Sequence, residues 1–426
     1  MKVFSIWSAA SVAVAVALIP CIPVVADTTI RCDILHDFAG GADDGINPQG
    51  SLIRNGSTLY GMTQYGGPGN YGIAFRMNID GNNFEPIHRF AGGPDDGPNP
   101  RGDLTLGDSK LYGMTEYGGP SNHGIAFRMD TNGGNFEPIH RFGNGANDGG
   151  NPSGNLTWSG SVLYGMTPYG GPANLGTVFR MDTDGSNFQL LRTFTGAPDD
   201  GANPLGSLTL DGSVLYGMTA YGGASNGGVA FRMTTDGGGF EVIHDFTGDA
   251  DDGLNPWGDL TLRDSTLYGM TKYGGPGNCG VVFRMDTDGN DFEVIHGFAS
   301  GLNDGCNPEG SLLEKDGVLY GMTEYGGPGN YGIVFRLTAD GSKLPPLSDD
   351  LPPVESDFEV IHGFTGAPDD GANPRGSLTM GDSGLYGMTT YGGEYNHGTI
   401  FWIVPEPVTL SLLALGGLTL IHLRRR

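Results

Sequence analysis

Short apolar runs of strand length alternate with clusters of glycine, asparagine and aspartate through most of the chain. In residues 203–246 the runs read SLTL, VLYGMT, GVAFRM and FEVIHDF, and Asp211-Gly212 and Asp236-Gly237 between them are good hairpin turns. Helical periodicity is confined to the two terminal segments, so the pattern predicts all-β structure in four-stranded antiparallel units. The unit recurs: LYGMT begins at Leu59, Leu111, Leu163, Leu215, Leu267, Leu319 and Leu385. The first five steps are 52 residues and the last is 66; the extra 14 fall in the proline-rich stretch 341–357, which reads as a solvated excursion.

Four strands in about fifty residues make the blade of a β-propeller, and seven copies predict seven blades. The third-strand aromatic recurs from Phe75 to Phe401, but no fourth strand follows Phe401. Its equivalent is DILHDF, Asp33 to Phe38, near the start of the chain. An N-terminal strand that completes the last blade closes the ring without a covalent link and leaves no open edge. Both faces of the LYGMT strand are then buried, and Gly61 and its equivalents are expected to make room for a neighbouring backbone.

The ends carry different signals. Residues 1–26 hold Lys2, an apolar stretch and Val24-Val25-Ala26, the order of a secretory signal cut by signal peptidase. Residues 404–426 hold Pro-Glu-Pro, an uncharged apolar run and three terminal arginines, which would stay cytoplasmic as a temporary membrane anchor. That order resembles the PEP-CTERM sorting signal of exported bacterial proteins, which implies processing by an exosortase-type enzyme and release to the cell surface or beyond. Between these ends, residues 27–403 form the propeller domain. The whole chain has 48 acidic against 22 basic residues, a net charge of −26 that argues against nucleic-acid binding.

The repeat itself, LYGMT with Tyr325-Gly326-Gly327 and Gly332-Ile333-Val334-Phe335, resembles the GloVer tandem-repeat family of exported bacterial proteins. The resemblance implies fold and a surface location, and leaves biochemical role open.

The loop between blades (DDGxNP) and the loop between second and third strands (YGGPxNxG) should emerge on one face. The first supplies Asp43, Asp44, Asp95, Asp96, Asp199, Asp200, Asp251, Asp252, Asp369 and Asp370, candidates for calcium because hard cations take several oxygens. The same residues are ordinary turn formers, and no other cofactor is expected. Two loop positions vary between units. One carries Tyr71, His123, Tyr331 and His397; the other, after Asn-Pro, carries Arg101, Trp257 and Arg375. A fixed frame with varied tips suits a binding surface, with a glycan, exopolysaccharide or peptide as ligand. Exposed positions also drift without function. Cys279 and Cys306 fall on adjacent loops and are a candidate disulfide, whereas Cys32 has no evident partner.

Near-identical blades supply rings of like groups, and no serine, cysteine or histidine triad stands out. The leading expectation is a noncatalytic binding or structural scaffold. The rival is an extracellular glycan-active hydrolase or lyase using loop-face carboxylates such as Asp251 and Asp304.

Overall fold

The computed structural model describes residues 30–346, 354, 356–366 and 368–405. The signal segment 1–26 and residues 406–426 of the tail lie outside the described residues. Seven four-stranded antiparallel sheets form the blades, and the described residues contain no helix. Blade 4 shows the pattern: Thr209–Asp211, Val214–Thr219, Val229–Thr234 and Glu241–Asp245, hydrogen-bonded in that order. Blade 7 takes its outer strand from the start of the chain, with Ile30–Asp37 antiparallel to Thr399–Pro405. That last strand runs two residues into the segment assigned to the tail, pairing Val404 with Arg31 and Pro405 with Ile30.

Strand alternation puts successive side chains on opposite faces, so each blade contributes to two cores. Between blades 1 and 2, Tyr60, Met62, Ala74 and Phe90 pack on Leu104, Leu111, Ile125, Phe127 and Met129. Seven such clusters occupy the seven seams. Each fully buried phenylalanine adds about 1.5–3 kcal/mol by removal from water, so the identical repeats supply the cohesion that cross-links do not.

The expected role of Gly61 needs correction. A Cβ there would sit 2.6 Å from Cζ of Phe75 in the paired strand, so the glycine clears space for its own blade's aromatic ring. Neighbouring backbones meet elsewhere, at the glycine before each inner strand. A Cβ on Gly50 would lie 2.7 Å from the Gly102 carbonyl oxygen, and one on Gly206 would lie 2.5 Å from that of Gly258. The contact continues through Gly310 and Gly376 back to Gly50, a closed ring around the axis.

The proline-rich stretch is also less solvated than expected. Within its described part Leu344 is buried and its N–H donates to Ser356 O, so the segment is held back against the domain at that point.

Candidate functional site

The two loop types do share a face. Gly45-Ile46 forms a two-residue ladder with Tyr65-Gly66, and five further blades among the described residues repeat it. Two residues of DDGxNP hold this arrangement. The second aspartate closes its own loop: Asp44 Oδ2 accepts from Ala39 N at 2.8 Å, and Oδ1 from Gly45 N at 2.7 Å and pairs with His36 Nε2 at 3.1 Å. The asparagine adopts positive φ, tolerated there because its side chain bonds locally. Asn99 has φ 61° and its amide donates to the Gln64 carbonyl of the preceding blade at 3.1 Å. The same staple recurs at all seven seams, from Asn47 on Thr390 to Asn373 on Glu324.

The staples fix two tiers of side chains about the axis. Gln49, Arg101, Ser153, Leu205, Trp257, Glu309 and Arg375 line one axial cavity of about 150 Å³. The residue after each LYGMT forms the second tier, and several of its members touch the first. Lys272 pairs with Glu309, stands 3.8 Å from Glu324 Oε2, and holds its Nζ 3.6 Å over the Trp257 ring. Arg375 Nη2 reaches Glu324 Oε1 at 2.7 Å and its Nε lies 3.6 Å from Glu309 Oε2. On the opposite arc Arg101 Nη1 stands 3.6 Å from Glu116 Oε1 and its Nε donates to Gln49 Oε1 at 3.2 Å. Blades 3 and 4 offer Pro168, Leu205 and Ala220 instead. The mouth is therefore asymmetric on a symmetric frame, with charged blades facing an apolar arc.

A chain-wide comparison agrees with the frame. The Gloeobacter/Verrucomicrobia repeat profile matches residues 24–179 and 159–347, which is most of the chain. The chain belongs to that repeat family. No curated protein matches the sequence. Among solved structures this repeat-family propeller is similar to an oligogalacturonate lyase in complex with manganese, with TM-score 0.50, 10% identity, and coverage of 89% of this chain and 97% of that one. It is also similar to TolB from Acinetobacter baumannii, at TM-score 0.38, 13% identity and coverage of 68% and 60%. A puromycin-hydrolysing peptidase from Mycobacterium tuberculosis gives 0.44, 11%, 75% and 47%. At such identities the likeness is one of fold.

Electrostatics single out three acids at the axis of the repeat-family propeller, Glu309, Asp103 and Asp259. Burial pushes the Glu309 carboxyl up, as does the Glu324 charge, against the opposing pull of Lys272 and Arg375. Burial alone would lower Arg375, but Glu309 and Glu324 outweigh it and hold its pKa above the ordinary value. Below the mouth, the throat carries Ser51, Asp103, Asn155, Ser207, Asp259, Ser311 and Ser377 next to the glycine ring. Their side chains bond from blade to blade: Ser207 N donates to Asp259 Oδ1 at 2.5 Å and Asp259 N to Ser311 Oγ at 2.7 Å. Burial raises Asp103, and burial with the Asp103 charge across the axis raises Asp259 to about 6.

The seven candidate ligand-binding residues divide between two rings. Arg101, Trp257 and Arg375 meet at the mouth. Tyr71, His123, Tyr331 and His397 sit further out at the seams: Tyr71 lies against Gly92, Tyr331 against Gly366, and His123 Nδ1 is 3.2 Å from Asn151 Oδ1. The paired aspartates also diverge. The second of each pair clamps its loop, whereas Asp43 and Asp95 are exposed and pair with Arg89 and Arg141 of the next blade. Among the described residues no three of the candidate aspartates bring carboxylate oxygens within 4.8 Å of one another. Cys279 and Cys306 are joined in a disulfide, S–S 2.15 Å.

The second tier at the mouth is the part that sequence reasoning overlooked. Its signal was the variable residue between LYGMT and YGG, which reads Gln64, Glu116, Pro168, Ala220, Lys272, Glu324 and Thr390. A further ring escaped notice because it does not vary. Tyr65, Tyr117, Tyr169, Tyr221, Tyr273, Tyr325 and Tyr391 follow the second tier directly, and all but Tyr273 are 36–44% exposed. Their place around the mouth is fixed by neighbours: the Glu116 charge raises the Tyr117 phenol, and Lys272 Nζ lies 5.8 Å from the Tyr273 ring centre.

Proposed function

We propose that this protein is an exported, surface-associated, noncatalytic propeller that binds a glycan on the face bearing the axial mouth. One observation carries the reading: the tyrosine of YGG is kept in all seven units although it sits in none of the seven cores. The other fixed residues of that stretch have structural duties. Leu59, Tyr60 and Met62 are core, Gly61 clears Phe75, and Thr63 Oγ1 donates to Tyr65 O at 2.8 Å. Gly66 has φ +91° and its N–H is capped by Asn70 Oδ1 at 2.9 Å. Exposed tyrosines offer an apolar ring face with a hydroxyl at its edge, which suits the alternating C–H and O–H surfaces of sugars. The charge of −26 favours neutral or cationic chains over acidic ones. Export through the segment 1–26, and surface release after exosortase-type processing of 404–426, belong to the same proposal.

The test is a binding screen of the secreted protein on neutral, acidic and amino polysaccharides, repeated with Trp257→Ala and with Tyr117, Tyr169 and Tyr221 together changed to Ser. Retention of a neutral glycan by the parent, weakened at least tenfold by the triple variant, is expected. Equal retention by all three proteins would sink the proposal.

A second reading, a glycan-active enzyme, has one observation in its favour. Glu309 is held up beside Glu324 in the mouth, a pairing that can keep one carboxyl protonated as a general acid. Release of reducing ends or unsaturated products by the parent, abolished in Glu309→Gln, would establish it.

A further inference from the structure

An outer belt joins the blades in one recurring way: a side chain on one outer strand lies flat on a phenylalanine of the next. His88 stacks on Phe136 at 3.9 Å and 4°, and His296 on Phe358 at 3.9 Å and 4°. Where blade 3 lacks histidine, Arg192 lies 3.8 Å over Phe240. Six seams follow this rule. The seventh, between blade 6 and the chain's first strand, which serves as the outer strand of blade 7, does not.

There the facing residue is Cys32. Its register is that of the missing phenylalanine, since Cys32 pairs with Ile403 as Phe358 pairs with Leu337. His362 of blade 6 therefore meets a thiol where every other member of the belt meets an aromatic face. It keeps the loop clamp, with Nε2 3.1 Å from Asp370 Oδ1. Sulfur, imidazole nitrogen and carboxylate oxygen then lie within 4.8 Å of one another, the only such trio among the described residues.

We propose that Cys32, His362 and Asp370 form a site for a zinc ion that fastens the noncovalent closure of the ring. The donor set is the argument. Thiolate, imidazole and carboxylate are the ligands zinc takes, at about 2.3, 2.0–2.1 and 2.0–2.2 Å. In a tetrahedral shell the nitrogen and oxygen would stand about 3.3 Å apart, close to the 3.1 Å already present between His362 and Asp370. All three residues are half-buried, which leaves a path for the ion and for water at a fourth position. Binding releases the thiol proton to solvent and forms the sulfur–zinc bond, with no change of oxidation state. Among the described residues the other five histidine–aspartate pairs lack a third ligand, so one ion per chain is expected. Ordinary loop clamping explains those pairs and does not explain why the aromatic is missing only where the ring is closed.

The test uses the untagged secreted protein, stripped with chelator, loaded with zinc and desalted. The comparison is Cys32→Phe, which restores the residue used at the other seams and so keeps the fold. The parent should retain about one zinc per chain and gain roughly 2 °C or more in Tm with zinc. The variant should do neither, yet in chelator its Tm should equal or exceed the parent's, because the aromatic contact is restored. Cobalt(II) should give a thiolate charge-transfer band in the near ultraviolet with the parent only. Zinc retained equally by Cys32→Phe, or by neither protein, overturns the site. Should Cys32→Phe fail to fold, Cys32→Ser is read by the same retention and the same band.

Discussion

Asp259 offers the sharpest physical test of the axial throat. Its carboxylate is held by Ser207 N at 2.5 Å, surrounded by protein, and repelled by Asp103, which together raise it from 3.8 to about 6. A raised carboxyl binds its proton more tightly in the folded than in the unfolded chain. Stability is therefore greatest at low pH and is lost as pH rises from about 4 through about 6. Two units at about 1.4 kcal/mol each set a ceiling of about 3 kcal/mol for that loss at pH 8, of which about 1 kcal/mol is already present at pH 4.5. Asp259 lines the throat and is partly exposed there, so about 1–2 kcal/mol is the realistic figure. Asp259→Asn keeps the Oδ1 acceptor for Ser207 N and removes the charge. The variant should therefore be more stable than the parent at pH 8 by that amount, with the advantage shrinking by half or more at pH 4.5. Thermal unfolding at the two pH values, read as variant minus parent, cancels the titrating groups that do not interact with Asp259, leaving it and its neighbour Asp103. An offset that is the same at both pH values, or that grows on acidification, would refute the reasoning.

The clamping aspartates should show the opposite sign. In Asp252, bonds from His244, Thr247 and Gly253 outweigh burial and lower the pKa, so its contribution is present above about pH 4 and is lost as pH falls further. Asp252→Asn should cost about 1–3 kcal/mol at pH 7 and almost nothing at pH 2.5, measured by denaturant titration. Gly206→Ala forces a Cβ to 2.5 Å from the Gly258 carbonyl oxygen, and a loss of about 3 kcal/mol or more is expected; Gly212→Ala meets open space and should cost about 1 kcal/mol for its positive φ alone. Lys272→Met leaves Arg375 as the remaining cation beside Glu309 and Glu324, so a loss of up to about 3 kcal/mol at pH 7 that narrows below pH 5 is expected from the same unfolding assay. With no three candidate aspartates converging, millimolar calcium should leave Tm unchanged, and a chelator-reversible rise would show a cation shared between loops.

The blades were legible because seven equal neighbours demand equal residues, and period, strand count and the closing strand all follow from that demand. Contacts across a seam were harder to assign. Gly61 could face its own Phe75 or a neighbouring backbone, and only the register decides between them. The two tiers at the mouth come from positions 15 residues apart in each unit, as in Trp257 and Lys272, and variability identifies both without showing that they touch. Cys32 had no partner in sequence because its neighbours, His362 and Asp370, lie more than 300 residues further along and meet it only when the ring closes.

Symmetry explains why the departures from it matter. In a ring of equal blades, a change at one position breaks a packing rule that six other copies still obey, so it persists only where the rule has no force or where something replaces it. The mouth is of the first kind: its residues point into the axial opening, where no neighbouring blade dictates their shape, and charge and bulk vary freely from Ser153 to Trp257. Closure is of the second kind. A phenylalanine at position 32 would have matched the other seams, and a thiol in its place forfeits an aromatic contact of about 0.5–1.5 kcal/mol. Among the described residues the first strand is the one blade strand that no peptide links directly to its sheet neighbour, and a metal bond from Cys32 to His362 and Asp370 would fasten that strand to blade 6, holding in place the piece that chain connectivity leaves unsecured.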